Sequence, residues 1–123
     1  MNFTDLKIWQ KSHQLTLEIY KLTRQLPKTE TFGIVSQIQR SASSVPANIA
    51  EGFGRKSKNE FIQFLYQAKG SLVETQYFLI LIKDLKYSNA TSMEKLISQY
   101  EELAKMLNSF ITHIKLKWNH LKL

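Results

Sequence analysis

Cysteine is absent from this 123-residue chain, and glycine and proline are scarce, at four and two residues. Without thiols the chain can form no disulfide and offers no thiolate to a metal. The absence suits a reducing compartment without fixing one. The longest unbroken apolar run, Tyr77 to Ile82, falls far short of the roughly 20 residues a membrane-spanning helix needs. No basic segment followed by an apolar core stands between Met1 and Lys7, so no secretory signal is read there. The expectation is a cytoplasmic protein with no membrane partner. No alternating strand pattern, internal repeat or low-complexity segment is visible, and no acid occurs between Leu103 and Leu123.

What is present is ordinary for a globular protein: 43% hydrophobic and 22% charged residues. The length fits one domain spanning residues 1–123, which should bury about two-thirds of its unfolded surface. The formal net charge is +7, which favours polyanionic partners through long-range attraction.

Helical periodicity dominates. Leu15, Ile19, Leu22 and Leu26 mark a first helix from about Thr4 to Leu26, flanked by Leu6, Trp9 and Tyr20 and closed by Pro27. A second covers about Thr31 to Phe53. Ser57-Lys58-Asn59-Glu60 reads as a capping box opening a third, which runs to about Leu85 and buries Phe61, Leu65, Ala68, Leu72, Leu79 and Ile82. Thr91-Ser92-Met93-Glu94 repeats the device before a fourth, from about Ser92 to Lys117, with Leu96, Tyr100, Leu103, Leu107, Phe110 and Ile114 inward. Four helices on short joints predict an all-α, antiparallel up-down-up-down four-helix bundle.

The second helix carries the most information. Ile34, Ile38, Ala42, Val45 and Ile49 form its apolar stripe, while Gln37, Arg40, Ser44, Asn48, Glu51 and Arg55 fall roughly 130° away. A solvated face is usually Lys and Glu, so a stripe of Arg, Ser and Asn points to contact. Pro46, in its middle, removes the amide that would bond Ala42 O. Either the helix kinks near residues 42–46 or it breaks, with Pro46 opening a new segment. The uninterrupted apolar phase favours a single proline-kinked helix. Gly52 and Gly54 then supply its stop.

Helix three is apolar nearly all round in its second half, adding Phe64, Tyr66, Tyr77, Phe78, Ile80 and Leu81 to its core stripe. A bundle helix needs only about a 100° stripe, so the excess predicts self-association in preference to stray exposed aromatics. Gly70, mid-helix, costs about 1 kcal/mol relative to alanine. Close approach of a neighbouring helix, at Pro46 for example, is the favoured reason, and a ligand notch the weaker one.

The run Gln37, Arg40, Ser44, Pro46, Asn48-Ile49-Ala50-Glu51-Gly52, Gly54-Arg55 resembles the signature of the 23S rRNA intervening-sequence proteins, also called the S23 ribosomal protein or four-helix-bundle family. The likeness extends to Phe3–Lys11, Glu30–Ile34, Glu60-Phe61, Phe64-Leu65 and Ala68–Thr75, essentially the whole chain. Gln39 and Lys69 stand where arginine is frequent, and Ser41 and Ser43 where small or β-branched apolar residues are common. The resemblance implies a four-helix bundle that assembles as a ring-like homo-oligomer, a pentamer. It also implies likeness to a retroelement accessory protein whose basic barrel associates with nucleic acid and a reverse transcriptase. A ribosomal component is a further implied partner. It implies no enzyme.

Two readings compete for Arg40, Glu51 and Arg55: a structural or assembly network, which is favoured, and an anion site in which two guanidiniums meet phosphate. Lys105, Lys115, Lys117 and Lys122, with Trp118, suit phosphate contact and base stacking, yet cations also complement a helix C-terminus. Lys56 joins Arg40, Arg55 and these lysines as the candidate nucleic-acid contacts. A pentamer at +7 per chain would carry about +35. His13, His113 and His120 lack carboxylates to complete a metal site, and no catalytic triad, paired acids or phosphate loop is visible. The expected function is therefore that of a non-enzymatic, cofactor-free homo-oligomer binding nucleic acid, RNA rather than DNA. The alternative is an assembly scaffold docking a protein partner through the Arg40–Arg55 face.

Overall fold

The computed structural model describes residues 1–121, with side chains described through Trp118. The chain enters by a 3-10 turn, Phe3–Asp5. Asn2 Oδ1 accepts from Thr4 N at 3.0 Å, while Asp5 Oδ2 accepts from Asn2 N at 2.8 Å, a reciprocal cap. Leu6 is extended, at φ −76° and ψ 128°, and separates this turn from α1, Lys7–Thr23. The first helix is thus shorter at both ends than its apolar repeat predicts. Leu26, beyond its end, is still buried.

A π-type turn, Thr31–Val35, leads into α2, Ser36–Phe53. The non-helical residue of this region is Gly33, at φ −107° and ψ −110°. Pro46 lies inside α2, which continues through it as one helix. A kink at Pro46 is not shown. The carbonyl that Pro46 leaves without an amide, Ala42 O, lies 3.1 Å from Thr16 Oγ1 on α1.

Helix α3, Lys58–Asp84, starts where the capping residue predicts: Ser57 Oγ accepts from Glu60 N at 3.3 Å. It ends in a Schellman turn, with Tyr87 N donating to Ile82 O at 3.2 Å and Lys86 N to Lys83 O at 3.0 Å. Lys86 takes the left-handed position, at φ 59°. Helix α4, Ala90–Leu121, is capped by Asn89, whose Oδ1 accepts from Ser92 N at 3.0 Å. The predicted box at Thr91–Glu94 is corrected: those residues lie inside the helix, and Glu94 pairs with Lys83 at 3.7 Å. Non-helical geometry at Lys117 interrupts α4 at the residue where its regular repeat stops in the sequence.

Among the described residues the fold is all helical, a four-helix bundle in which α1 packs on α2 and α4, and α3 on the same two. Helices α1 and α3 therefore run in the same direction on opposite corners. The predicted stripes form the core: Leu15, Ile19, Ile38, Ala42, Val45, Ile49, Phe61, Leu65, Leu72, Leu79, Tyr100, Leu103 and Leu107 are all buried. Burial of this apolar surface, at about 25 cal/mol per Å², is the main stabilising term. Ser12, Thr16, Thr23, Ser41 and Thr75 are buried with it. Among the described residues the Tyr100 hydroxyl has no hydrogen-bond partner, and burial raises its pKa above the ordinary tyrosine value.

Candidate nucleic-acid interface

The signature stripe of α2 faces α3 and is largely consumed there. Arg40 pairs with Glu74 and also donates to Gln37 Oε1 at 3.1 Å. One residue on along each helix, Thr75 Oγ1 donates to Ser41 Oγ at 2.8 Å, in the core. Ser71 Oγ donates to Ser44 Oγ at 2.9 Å, and Asn48 Nδ2 reaches both Ser44 Oγ and Ser44 O at 2.9 Å. These bonds form a polar ladder along the α2–α3 seam, with each buried or half-buried group satisfied as the low-dielectric interior requires. Glu51 accepts from Arg55 Nη2 at 3.1 Å, and the Arg55 guanidinium lies 4.9 Å from the Phe64 ring centroid.

Gly52 closes the seam. A β-carbon there would stand 2.6 Å from Phe64 Cβ and 2.9 Å from Phe61 Cδ1, so glycine is required for the helices to meet. Gly54 ends α2 with a right-handed φ of −74°, its N–H donating to Glu51 O at 3.1 Å. The stop expected of both glycines therefore divides: Gly52 serves packing, and only Gly54 caps. Gly70 is a correction. It is exposed, and a β-carbon added there would meet nothing within 4 Å, so neither Pro46 nor another of the described residues packs against it.

Positive charge is spread unevenly along the bundle. The Ser44–Ser71 contact, the Thr16–Ala42 contact and the Phe61–Phe110 ring pair set the heights of the helices against one another. On that alignment residues 1–13, 45–71 and 100–121 form one end. They carry nine Lys and Arg against five Asp and Glu. Residues 14–44 and 72–99 form the other, with seven against five. The larger positive excess of the described chain thus lies at the end holding the α2–α3 turn.

At that end, lysines distant in sequence converge. Lys58 Nζ donates to Lys115 O at 2.7 Å, and Lys115 Nζ donates to Tyr66 OH at 2.7 Å. The Lys115 ammonium is 5.2 Å from the Tyr66 centroid, which places it along the C–O direction and not above the ring face. Arg55 and Lys56 sit in the adjoining turn, and Lys117 stands at the interruption of α4. Among the described residues, Lys56, Lys105, Lys115 and Lys117 have no acidic partner.

The candidates therefore divide. Arg55, Lys56, Lys115 and Lys117 share the basic end, which Lys58 joins without having been singled out in the sequence. Lys105 belongs to the same end but lies on its α1–α4 side, lining an open apolar groove of about 630 Å³ with Lys7, Leu6, Met106 and Phe110. Arg40 sits in the other half, already paired. Lys122 lies outside the described residues, as does the side chain of His120. His13 stacks on Trp9 at 4.9 Å, and no group of three or more His, Cys, Asp or Glu converges as metal ligands among the described residues. Nor is any helix among them long and apolar enough to cross a membrane.

The fold and the candidate site define a four-helix bundle with a polar seam between α2 and α3 and a cluster of lysines at one end. By sequence, residues 4–109 match the 23S rRNA-intervening sequence protein family, and the chain belongs to it. It is similar to the crystal structure of a protein of unknown function from the S23 ribosomal protein family of Bacteroides thetaiotaomicron VPI-5482. That likeness has a TM-score of 0.79 at 30% identity, covering 85% of this chain and 97% of the other. Among curated proteins none matches significantly.

Proposed function

We propose that this chain is a non-enzymatic bundle protein that assembles with copies of itself in the cytoplasm and contacts RNA phosphates through its basic end. The observation that carries the reading is the charge division, nine cations against five acids at one end and seven against five at the other, with most of the cations that lack an acidic partner among the described residues gathered at the first. Unpaired lysines on a folded surface attract a polyanion by releasing its condensed counterions, with no need for base-specific contacts. Tyr66, exposed beside Lys115, adds a ring on which an unpaired base can stack. The family's name, which refers to an intervening sequence of 23S rRNA, makes RNA the first polyanion to try.

The alternative, a protein-docking face from Arg40 to Arg55, has less to stand on, because Arg40, Ser44 and Asn48 spend their polar atoms inside the chain. The test is titration of a fluorescent structured RNA and a matched duplex DNA across salt. RNA binding whose log affinity falls by about 0.7–0.9 per phosphate neutralised per log unit of salt supports the reading. No binding of either at about 50 mM salt overturns it.

A further inference from the structure

Gly70 lies mid-helix in α3 and serves no packing among the described residues, since a β-carbon added there would meet nothing within 4 Å. A glycine in such a position weakens the helix relative to alanine. What it changes is its neighbour one turn back. Side chains of an α-helix lean toward its N-terminus, so a longer residue at 70 would lie over Tyr66. With glycine there, the Tyr66 ring, 46% exposed, has no residue at i+4 to cover it. An open notch, one helical turn long, lies beside the ring.

The ring is held in place from the next helix. Lys115 Nζ donates to Tyr66 OH at 2.7 Å, and Lys58 Nζ donates to Lys115 O at 2.7 Å, so α3 and α4 are tied at this height. An ammonium keeps further donors after one such bond. Lys69, at i+3 from Tyr66, is exposed, and neither it nor Lys115 has an acidic partner among the described residues. Glu74, the carboxylate nearest Gly70 along α3, is engaged by Arg40. A nucleotide whose base is unpaired needs a face to stack on, room for the base and cations for its phosphates. The Tyr66 ring, the Gly70 notch and the Lys69 and Lys115 ammonium groups supply those in turn. A duplex cannot use them together, because paired bases keep their faces inside the stack.

We infer that the Tyr66–Gly70 notch of α3 holds an unpaired base of RNA, with Lys69 and Lys115 on its phosphates, so that the chain prefers single-stranded segments to duplex. This rests on the RNA contact in the proposed function and names the form of RNA it takes. Gly70, which packs against nothing, then has a use: it keeps the ring bare.

Titration of a fluorescent, unstructured oligoribonucleotide of about 12 nucleotides, alone and annealed to its complement, tests it on the full chain. Circular dichroism melts control for fold and light scattering for mass. The wild type is expected to bind the single strand about fivefold or more tightly than the duplex. Tyr66→Ala and Gly70→Gln are each expected to weaken single-strand binding about fivefold or more, with duplex binding and the salt slope unchanged because no phosphate contact is lost. Gly70→Gln should do so in a helix at least as stable as before. Tyr66→Phe keeps the ring and should bind within about twofold of wild type. Equal binding of strand and duplex by the wild type, or wild-type affinity in both Tyr66→Ala and Gly70→Gln, overturns the notch while the phosphate contact of the proposed function survives. A Gly70→Gln loss that comes with a changed mass assigns the glycine to a contact between chains and overturns the notch as well. A wild type that binds neither form overturns both readings.

Discussion

Thr16 and Pro46 are partners across a carbonyl. The proline withholds an amide from Ala42 O, and the Thr16 hydroxyl on α1 comes within 3.1 Å of that oxygen. The same hydroxyl is 2.8 Å from Ser12 O, which α1 already bonds through its own backbone. Ala42 O has the greater need, because Pro46 has no amide to give it. A proline in mid-helix ordinarily costs about 3 kcal/mol, part of it through an orphaned carbonyl. Here a neighbouring helix supplies the missing donor.

Thr16→Val is therefore expected to destabilise the bundle by about 1–3 kcal/mol, since it keeps the shape and removes the donor from a buried acceptor. In a Pro46→Ala background the helix recovers its own amide, and the same substitution should cost under about 1 kcal/mol. Urea denaturation of the four proteins gives the coupling directly. Equal costs in the two backgrounds would mean that the hydroxyl does not serve Ala42.

Gly52 and Gly54 look alike in sequence and differ in space. A methyl on Gly52 would press into Phe64 Cβ at 2.6 Å, and backbone cannot yield cheaply between two packed helices. Gly52→Ala should cost about 1–3 kcal/mol or more. At Gly54 the nearest atom to an added methyl is Glu51 O at 3.4 Å, an ordinary contact, and φ is right-handed. Gly54→Ala should lie within about 0.5 kcal/mol of wild type. Thermal melts of the two variants at equal concentration make the comparison, and similar losses at both positions would contradict it.

The apolar half of this fold was legible because burial imprints a period. Ile38, Ala42, Val45 and Ile49 repeat at helical spacing, and all are buried. Polar residues at the same heights leave no such mark. Ser41 and Thr75 belong to no apolar stripe read from the sequence, yet they bond each other in the core. Their burial depends on a partner 34 residues away, which a local pattern cannot hold. Helix starts were partly legible: Ser57 caps as its chemistry predicts, whereas Asn89 took the role expected of Thr91. A capping motif fixes a bond without saying which of two adjacent candidates the chain geometry selects. The candidate site was legible only in pieces. Lys56, Lys115 and Lys117 stood out as cations, but their convergence with Lys58 comes from the antiparallel return of α4. The reading of Arg40 as a nucleic-acid contact had no way to foresee Glu74 on another helix.

That last point separates two classes of arginine and lysine by experiment. Arg40 is exposed but engaged, with its guanidinium shared between Glu74 and Gln37 and placed away from the basic end of the bundle. Its removal deletes an ion pair on a solvated surface, worth under about 1 kcal/mol of stability. Arg40→Ala should leave RNA affinity and its salt dependence within error of wild type. Lys56 and Lys117 stand free at the basic end, so removing either takes away a phosphate contact that no internal acid competes for. Lys56→Ala and Lys117→Ala should each weaken RNA binding whatever its sequence and reduce the salt slope by about 1. Titrations of the three variants across salt, under one set of conditions, rank them. If Arg40→Ala lowers the slope while the two lysine variants do not, the polyanion meets the α2–α3 seam and the charge at the bundle's end is incidental.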